Sequence, residues 1–68
     1  MIKEHDIVVL TTPLTDEGLD AGDEGTVVHV HQGGQAYEVE FVALDDHTAA
    51  VVILGASQVR PANPRDIT

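Results

Sequence analysis

The chain has 68 residues and no cysteine, so it has room for one small domain and excludes both a disulfide and a cysteine-bound metal. Twelve acidic residues against three basic ones give a formal net charge of -9, which disfavours binding to nucleic acid or to an anionic membrane. No apolar run approaches the roughly 20 residues that span a bilayer, no secretory signal is visible near the start, and the lack of cysteine fits a cytoplasmic location.

The first predicted elements are a short strand, a long loop and a second strand. Residues 7–10 are Ile-Val-Val-Leu, a β-branched apolar run that is typical of a buried strand. A loop with glycine and proline breakers is predicted from Thr11 to Glu24, with Leu14 and Leu19 holding it against the rest of the domain. A second strand is expected at 26–31.

A two-residue turn at Gly33 and Gly34 is predicted to join this strand to a third at 36–41, because paired glycines supply the positive φ that such turns need. This register separates the residues into two faces, as the period of two along a strand requires. One face carries the apolar pairs: Val30 with Tyr37, Val28 with Val39 and Thr26 with Phe41. The other face carries the mostly polar pairs: His29 with Glu38, Val27 with Glu40 and His31 with Ala36.

The remaining predicted elements close a small barrel. A turn is predicted at Leu44–His47, a fourth strand at 48–54 with apolar residues on both faces, a short turn, and a closing strand at 59–61. Five short strands with a long first loop predict an all-β fold, a five-stranded SH3-like barrel over residues 1–61. A flexible tail is expected at 62–68.

Four blocks of the sequence, taken in order and spacing, resemble a known family. The blocks are Asp-Ile-Val-Val-Leu at 6–10, Gly-Leu-Asp-Ala-Gly-Asp-Glu-Gly-Thr-Val-Val at 18–28, Tyr-Glu-Val-Glu-Phe at 37–41 and Ala-Ser-Gln-Val-Arg at 56–60. The family consists of short bacterial proteins, common in cyanobacteria, and is catalogued as a domain of unknown function. The resemblance runs from residue 3 to residue 61 and implies an SH3-type barrel. Its genes often lie beside small partner genes, which implies an antitoxin-like or accessory role.

Histidines on the second strand suggest one candidate function, metal binding. His29 and His31 are two residues apart and share a face, which suits Zn²⁺ or Ni²⁺ if a neighbouring strand supplies a third ligand. Glu38, opposite His29 in the expected register, would complete that set. The alternative is a solvated sheet face with a histidine–carboxylate pair. No other cofactor is indicated, and no nucleophile or phosphate-loop motif indicates an enzyme.

Contact with another protein is the function that the sequence favours. Asp16, Glu17 and Asp20 lie in a cation-free first loop and would attract a basic partner. A second set of residues would form an apolar face for the partner: Val27, Ala49, Val51 and Ile53. Exposed apolar patches with polar rims usually mark partner sites, although a covering loop or tail, or a second copy of the chain, would explain this face as well. The sequence therefore predicts a non-catalytic protein-interaction module.

Overall fold

The computed structural model describes residues 2–42 and 49–62, which form one antiparallel sheet with the strand order β4-β3-β2-β1-β5. Short 3-10 helices lie at Thr15–Glu17 and Ala56–Gln58. The strands are β1 Ile7–Leu10, β2 Glu24–His31, β3 Ala36–Val42, β4 Ala49–Gly55 and β5 Val59–Pro61. The fold is that of a small SH3-like barrel, as the sequence predicts. The predicted turn at Leu44–His47, and the predicted tail beyond residue 62, lie outside the described residues.

The long strand β2 belongs to both halves of the sheet. Its first part pairs with β1, where Gly25 lies opposite Val8, and its second part pairs with β3. The pairing with β3 shifts between Val27 and His29, so that Val28 is an extra residue in the ladder. Such a bulge bends a strand and increases its twist, which allows one strand to serve both halves of a barrel.

The bulge overturns half of the predicted β2–β3 register. The pairs next to the turn are as predicted: His31 with Ala36, Val30 with Tyr37 and His29 with Glu38. Beyond the bulge, Val27 lies opposite Val39 and Thr26 opposite Glu40, so the three predicted pairs there are wrong. Val27 is fully buried in the core, whereas Val28 is 41% exposed. Val27 is therefore not part of an exposed apolar face.

The β2–β3 connection is a four-residue turn, 32–35, rather than the predicted two-residue turn, and it is centred on Gly33 and Gly34 because His31 pairs with Ala36. The backbone N–H of Gly34 donates to the carbonyl of His31 at 3.0 Å, and that of Gln35 donates to the same oxygen at 3.2 Å. Gln32 and Gly33, the two residues between, have φ values of 51 and 67. Positive φ at both central residues is the mark of a primed hairpin turn. Gly34 also has a positive φ, of 105, so both glycines adopt the conformation predicted for the reversal.

The core lies between the two halves of the sheet. Its buried members come from all five strands: Val8, Leu10, Val27, Tyr37, Val39, Phe41, Leu54 and Val59. Both aromatic residues lie inside, as predicted. Gly25 leaves the space that these side chains fill, because a Cβ atom there would lie 2.6 Å from Val39 Cγ1 and 2.8 Å from the Phe41 ring. Glycine is the residue that permits this close approach.

The loop between β1 and β2 folds on itself as a narrow hairpin. Leu14 N–H donates to the carbonyl of Leu19 at 2.8 Å, and Leu19 N–H donates back to Leu14 at 3.0 Å. Both leucines are partly buried against the core. Gly18, with a φ of 70, ends the short helix at the tip. These contacts hold the tip of the loop beside β4.

Candidate protein-docking site

An open groove of about 340 Å³ lies between the β1–β2 loop and β4. Residues 13–17 line it from the loop, residues 52–54 line it from β4, and Gln58 lines it from the second 3-10 helix. The wall formed by the loop exists because the paired leucines keep the tip of the loop against the barrel. The groove therefore depends both on the folded β1–β2 loop and on the edge strand β4.

The two walls of this docking groove differ in chemistry. Asp16 and Glu17 are exposed carboxylates of the short helix on the loop wall. On the opposite wall Ile53 is 65% exposed, an unusual degree for a large apolar side chain. The structure therefore brings members of the predicted acidic set and of the predicted apolar set to one site.

The other predicted partner-binding residues lie elsewhere. Asp20 is exposed but does not line the groove, and its backbone N–H donates to Asp23 Oδ2 at 2.9 Å. Val51 is 55% exposed and lies outside the groove. Val27 lies in the core, as described above. Ala49 is the first residue of β4, and its side chain lies outside the described part of the structure.

An apolar row lies beside a row of carboxylates on the outer sheet face. Glu38 lies directly opposite Ile53, and Glu40 lies directly opposite Val51. Val42, at the end of β3, is also exposed and extends the apolar part of the face. The sequence-based prediction missed Val42 because it ended the third strand at residue 41. The alternation of Glu38 and Glu40, continued by one step of two residues, identifies this position.

The histidines of β2 contact carboxylates at the far side of the same face. His31 Nε2 lies 2.9 Å from Glu38 Oε1, a diagonal cross-strand contact between groups that are about one third exposed. His29 lies opposite Glu38 in the ladder, yet its Nδ1 is directed to Glu4 Oε2 at 3.6 Å. The two imidazole rings meet edge to face, with centroids 4.5 Å apart.

This arrangement does not assemble the predicted metal set. Within residues 2–42 and 49–62, no three histidine, aspartate or glutamate side chains converge closely enough to hold a metal ion. Metal binding through His29, His31 and Glu38 stays a prediction, and it would require His29 to turn from Glu4 toward the other two groups.

The fold and the groove define a small all-β barrel domain with an open groove lined by two carboxylates and by apolar residues. In the part of the chain that the structure describes, no helix is both long and apolar enough to cross a membrane. The family model of a domain of unknown function, DUF4926, matches residues 4–61, and the chain belongs to this family. The resemblance seen in the four sequence blocks is thereby confirmed. No curated protein and no solved structure matches the chain.

Proposed function

We propose that this protein is a non-catalytic interaction module that holds a basic protein partner in the docking groove. One observation carries the proposal: Asp16, Glu17 and Ile53 all line the same open groove. Carboxylates beside an exposed apolar anchor are complementary to a segment that presents a lysine or arginine next to an apolar side chain.

The two walls would contribute differently to binding. Carboxylates at the rim act over a distance, so they raise the association rate of a cationic partner and make it salt-dependent. Burial of an exposed isoleucine side chain such as Ile53 contributes about 1.5–3 kcal/mol, which mainly slows dissociation. The loop would therefore mainly set the association rate, and β4 would mainly set the dissociation rate.

The net charge argues for the class of partner. At -9 the chain repels nucleic acid backbones and other copies of itself, and it attracts basic proteins. The family resemblance implies an antitoxin-like or accessory role. Either role would be compatible with the proposed interaction module, because both depend on binding another protein. These roles and a cytoplasmic location stay predictions.

The proposal is tested by affinity capture with the full chain and with groove variants, followed by binding kinetics on a purified captured protein. We expect Ile53→Ser to raise the dissociation rate about tenfold or more, in line with the loss of roughly 1.4 kcal/mol. The double variant Asp16→Asn, Glu17→Gln should lower the association rate several-fold and flatten its salt dependence.

A matched control is available on the same face. Val42→Ser removes a similarly exposed apolar side chain that does not line the groove, so it should leave the kinetics unchanged. Circular dichroism checks that each variant is folded. If the groove variants bind as the unmodified protein does, the groove is not the docking site.

A further inference from the structure

The strand β4 is an edge strand with little to protect it. Among the described residues it pairs with β3 alone and is the last strand in the order. Its register with β3 is unbroken over seven pairs, and its sequence contains no charged residue and no proline. Proteins usually guard such edges with charge, proline, a bulge or shortness, because an unguarded edge pairs with other strands.

The ladder shows which backbone groups of β4 point outward. Ala56 N–H donates to the carbonyl of Gln35 at 3.0 Å, in the same register that places Ala36 opposite Gly55. Bonded and non-bonded pairs alternate along an antiparallel ladder, so Val52 bonds to β3. Val51 and Ile53 therefore direct their N–H and C=O groups away from β3, toward the outer edge.

We infer that the outer edge of β4 accepts an extended strand from a basic partner, which adds a sixth strand to the sheet. This inference rests on the proposed function and specifies that the partner binds as an extended strand. Alternate side chains of the added strand would lie beside Val51 and Ile53 on the outer face. The intervening side chains would lie on the inner side of β4, toward the loop that carries Asp16 and Glu17, which favour lysine or arginine.

Charge decides between a partner and a second copy of this chain. A second copy carries the same net charge of -9, so two copies repel each other. A strand that alternates apolar and cationic residues meets complementary groups along the edge. The occupant is therefore a basic partner segment.

The direct test uses a blocked synthetic peptide of alternating lysine and valine and follows amide hydrogen exchange by NMR. We expect the peptide to slow exchange at Val51 and Ile53 by about tenfold or more, and to leave Val52 unchanged because its amide is already bonded. A peptide of alternating glutamate and valine is the control and should produce no protection. Unchanged exchange at Val51 and Ile53 with the lysine peptide at saturating concentration would overturn the inference.

A pair of variants separates backbone pairing from side-chain contact. Val51→Pro removes the outward N–H, at an edge position where proline is tolerated, whereas Val51→Thr keeps the N–H and loses apolar surface. We expect the proline variant to bind the peptide at least about tenfold more weakly than the threonine variant. Equal binding would overturn edge pairing, while loss of binding in the groove variants would still support the proposed function.

Two further outcomes are informative. If Val51→Pro does not fold, the exchange experiment on the unmodified chain decides the matter alone. Sedimentation of the free protein tests the alternative occupant. A dimer that forms with rising concentration and is lost in Val51→Pro would overturn the basic partner in favour of a second copy.

Discussion

The two edge strands of the sheet differ in length and composition. β5 has three residues, Val59–Pro61, and includes both a cation and a proline. β4 has seven residues and includes neither. Shortness, charge and proline each hinder the addition of another strand, so β5 is a protected edge and β4 is an unprotected one. For this reason we propose the β4 side of the barrel, and not the β5 side, as the binding side.

The two edges also differ in how the chain around them is held. The ladder between β1 and β5 continues past both ends of β5: Thr11 N–H donates to the carbonyl of Gln58 at 2.9 Å, and Ala62 N–H donates to the carbonyl of Ile7 at 3.1 Å. Beside β4 lies an open groove instead. Among residues 2–42 and 49–62, one edge strand is thus short and tied to β1 beyond both of its ends, whereas the other is long and lines an open groove.

The largest expected effect separates the inner from the outer face of β4. Leu54 is fully buried and Ile53, its neighbour, is mostly exposed. We expect Leu54→Ala to lower the free energy of unfolding by about 2–5 kcal/mol, through lost burial and a residual cavity. Ile53→Ala should change it by less than about 0.5 kcal/mol. Urea unfolding measures both, and equal losses would show that Ile53 belongs to the core.

A smaller loss of stability is expected at Gly25 on β2, the strand that belongs to both halves of the sheet. Gly25→Ala places a methyl group against Val39 and Phe41, both of which are buried. We expect a loss of about 1–3 kcal/mol from overpacking. Thr26→Ala on the same strand is the control, and thermal unfolding is the measurement. A neutral Gly25→Ala would mean that the two side chains move aside without cost.

A modest gain in stability is expected when a cation is introduced into β4; β5 already contains one. Val51→Lys introduces a cation directly opposite Glu40, and an opposite-charge cross-strand pair contributes about 0.2–1 kcal/mol. The same lysine should reduce binding of the lysine–valine peptide. Urea unfolding in low and high salt checks the gain, which salt should reduce. A loss of stability would contradict the register between β3 and β4.

The smallest effect on stability is expected in the loop. Asp16→Asn with Glu17→Gln removes two exposed charges and should alter the free energy of unfolding by less than about 0.5 kcal/mol. The same variant should bind the lysine–valine peptide more slowly, and Asp20→Asn, which lies outside the groove, should have the weaker effect. A fall in stability comparable with that of Leu54→Ala would show that these carboxylates maintain the fold.

Much of the fold was predictable because strand periodicity is a local property. The apolar runs at β1 and β4 predict strands, and the alternation around Tyr37 and Phe41 predicts another strand and puts both aromatics inside. The bulge at Val28 was not predictable from alternation. Val27 and Val28 are the same residue type, so exchanging which of them faces inward leaves the hydrophobic pattern unaltered.

The candidate site was predictable in its parts but not as a whole. A cation-free loop and an apolar strand are visible as separate features of the sequence. That Asp16 and Glu17 lie across a groove from Ile53 depends on the packing of Leu14 and Leu19 against the barrel. Residues far apart in the chain meet only through such contacts, which no local pattern encodes.

The class of fold, the interior position of the aromatics and the net negative charge could be inferred from the amino-acid sequence alone. These follow from alternation and charge, which act residue by residue. Only the tertiary structure shows which valine of β2 is buried, where the groove lies and which of the described strands form the edges of the sheet. Those features depend on how strands are ordered and bent around one core, and their physical cause is packing between distant segments.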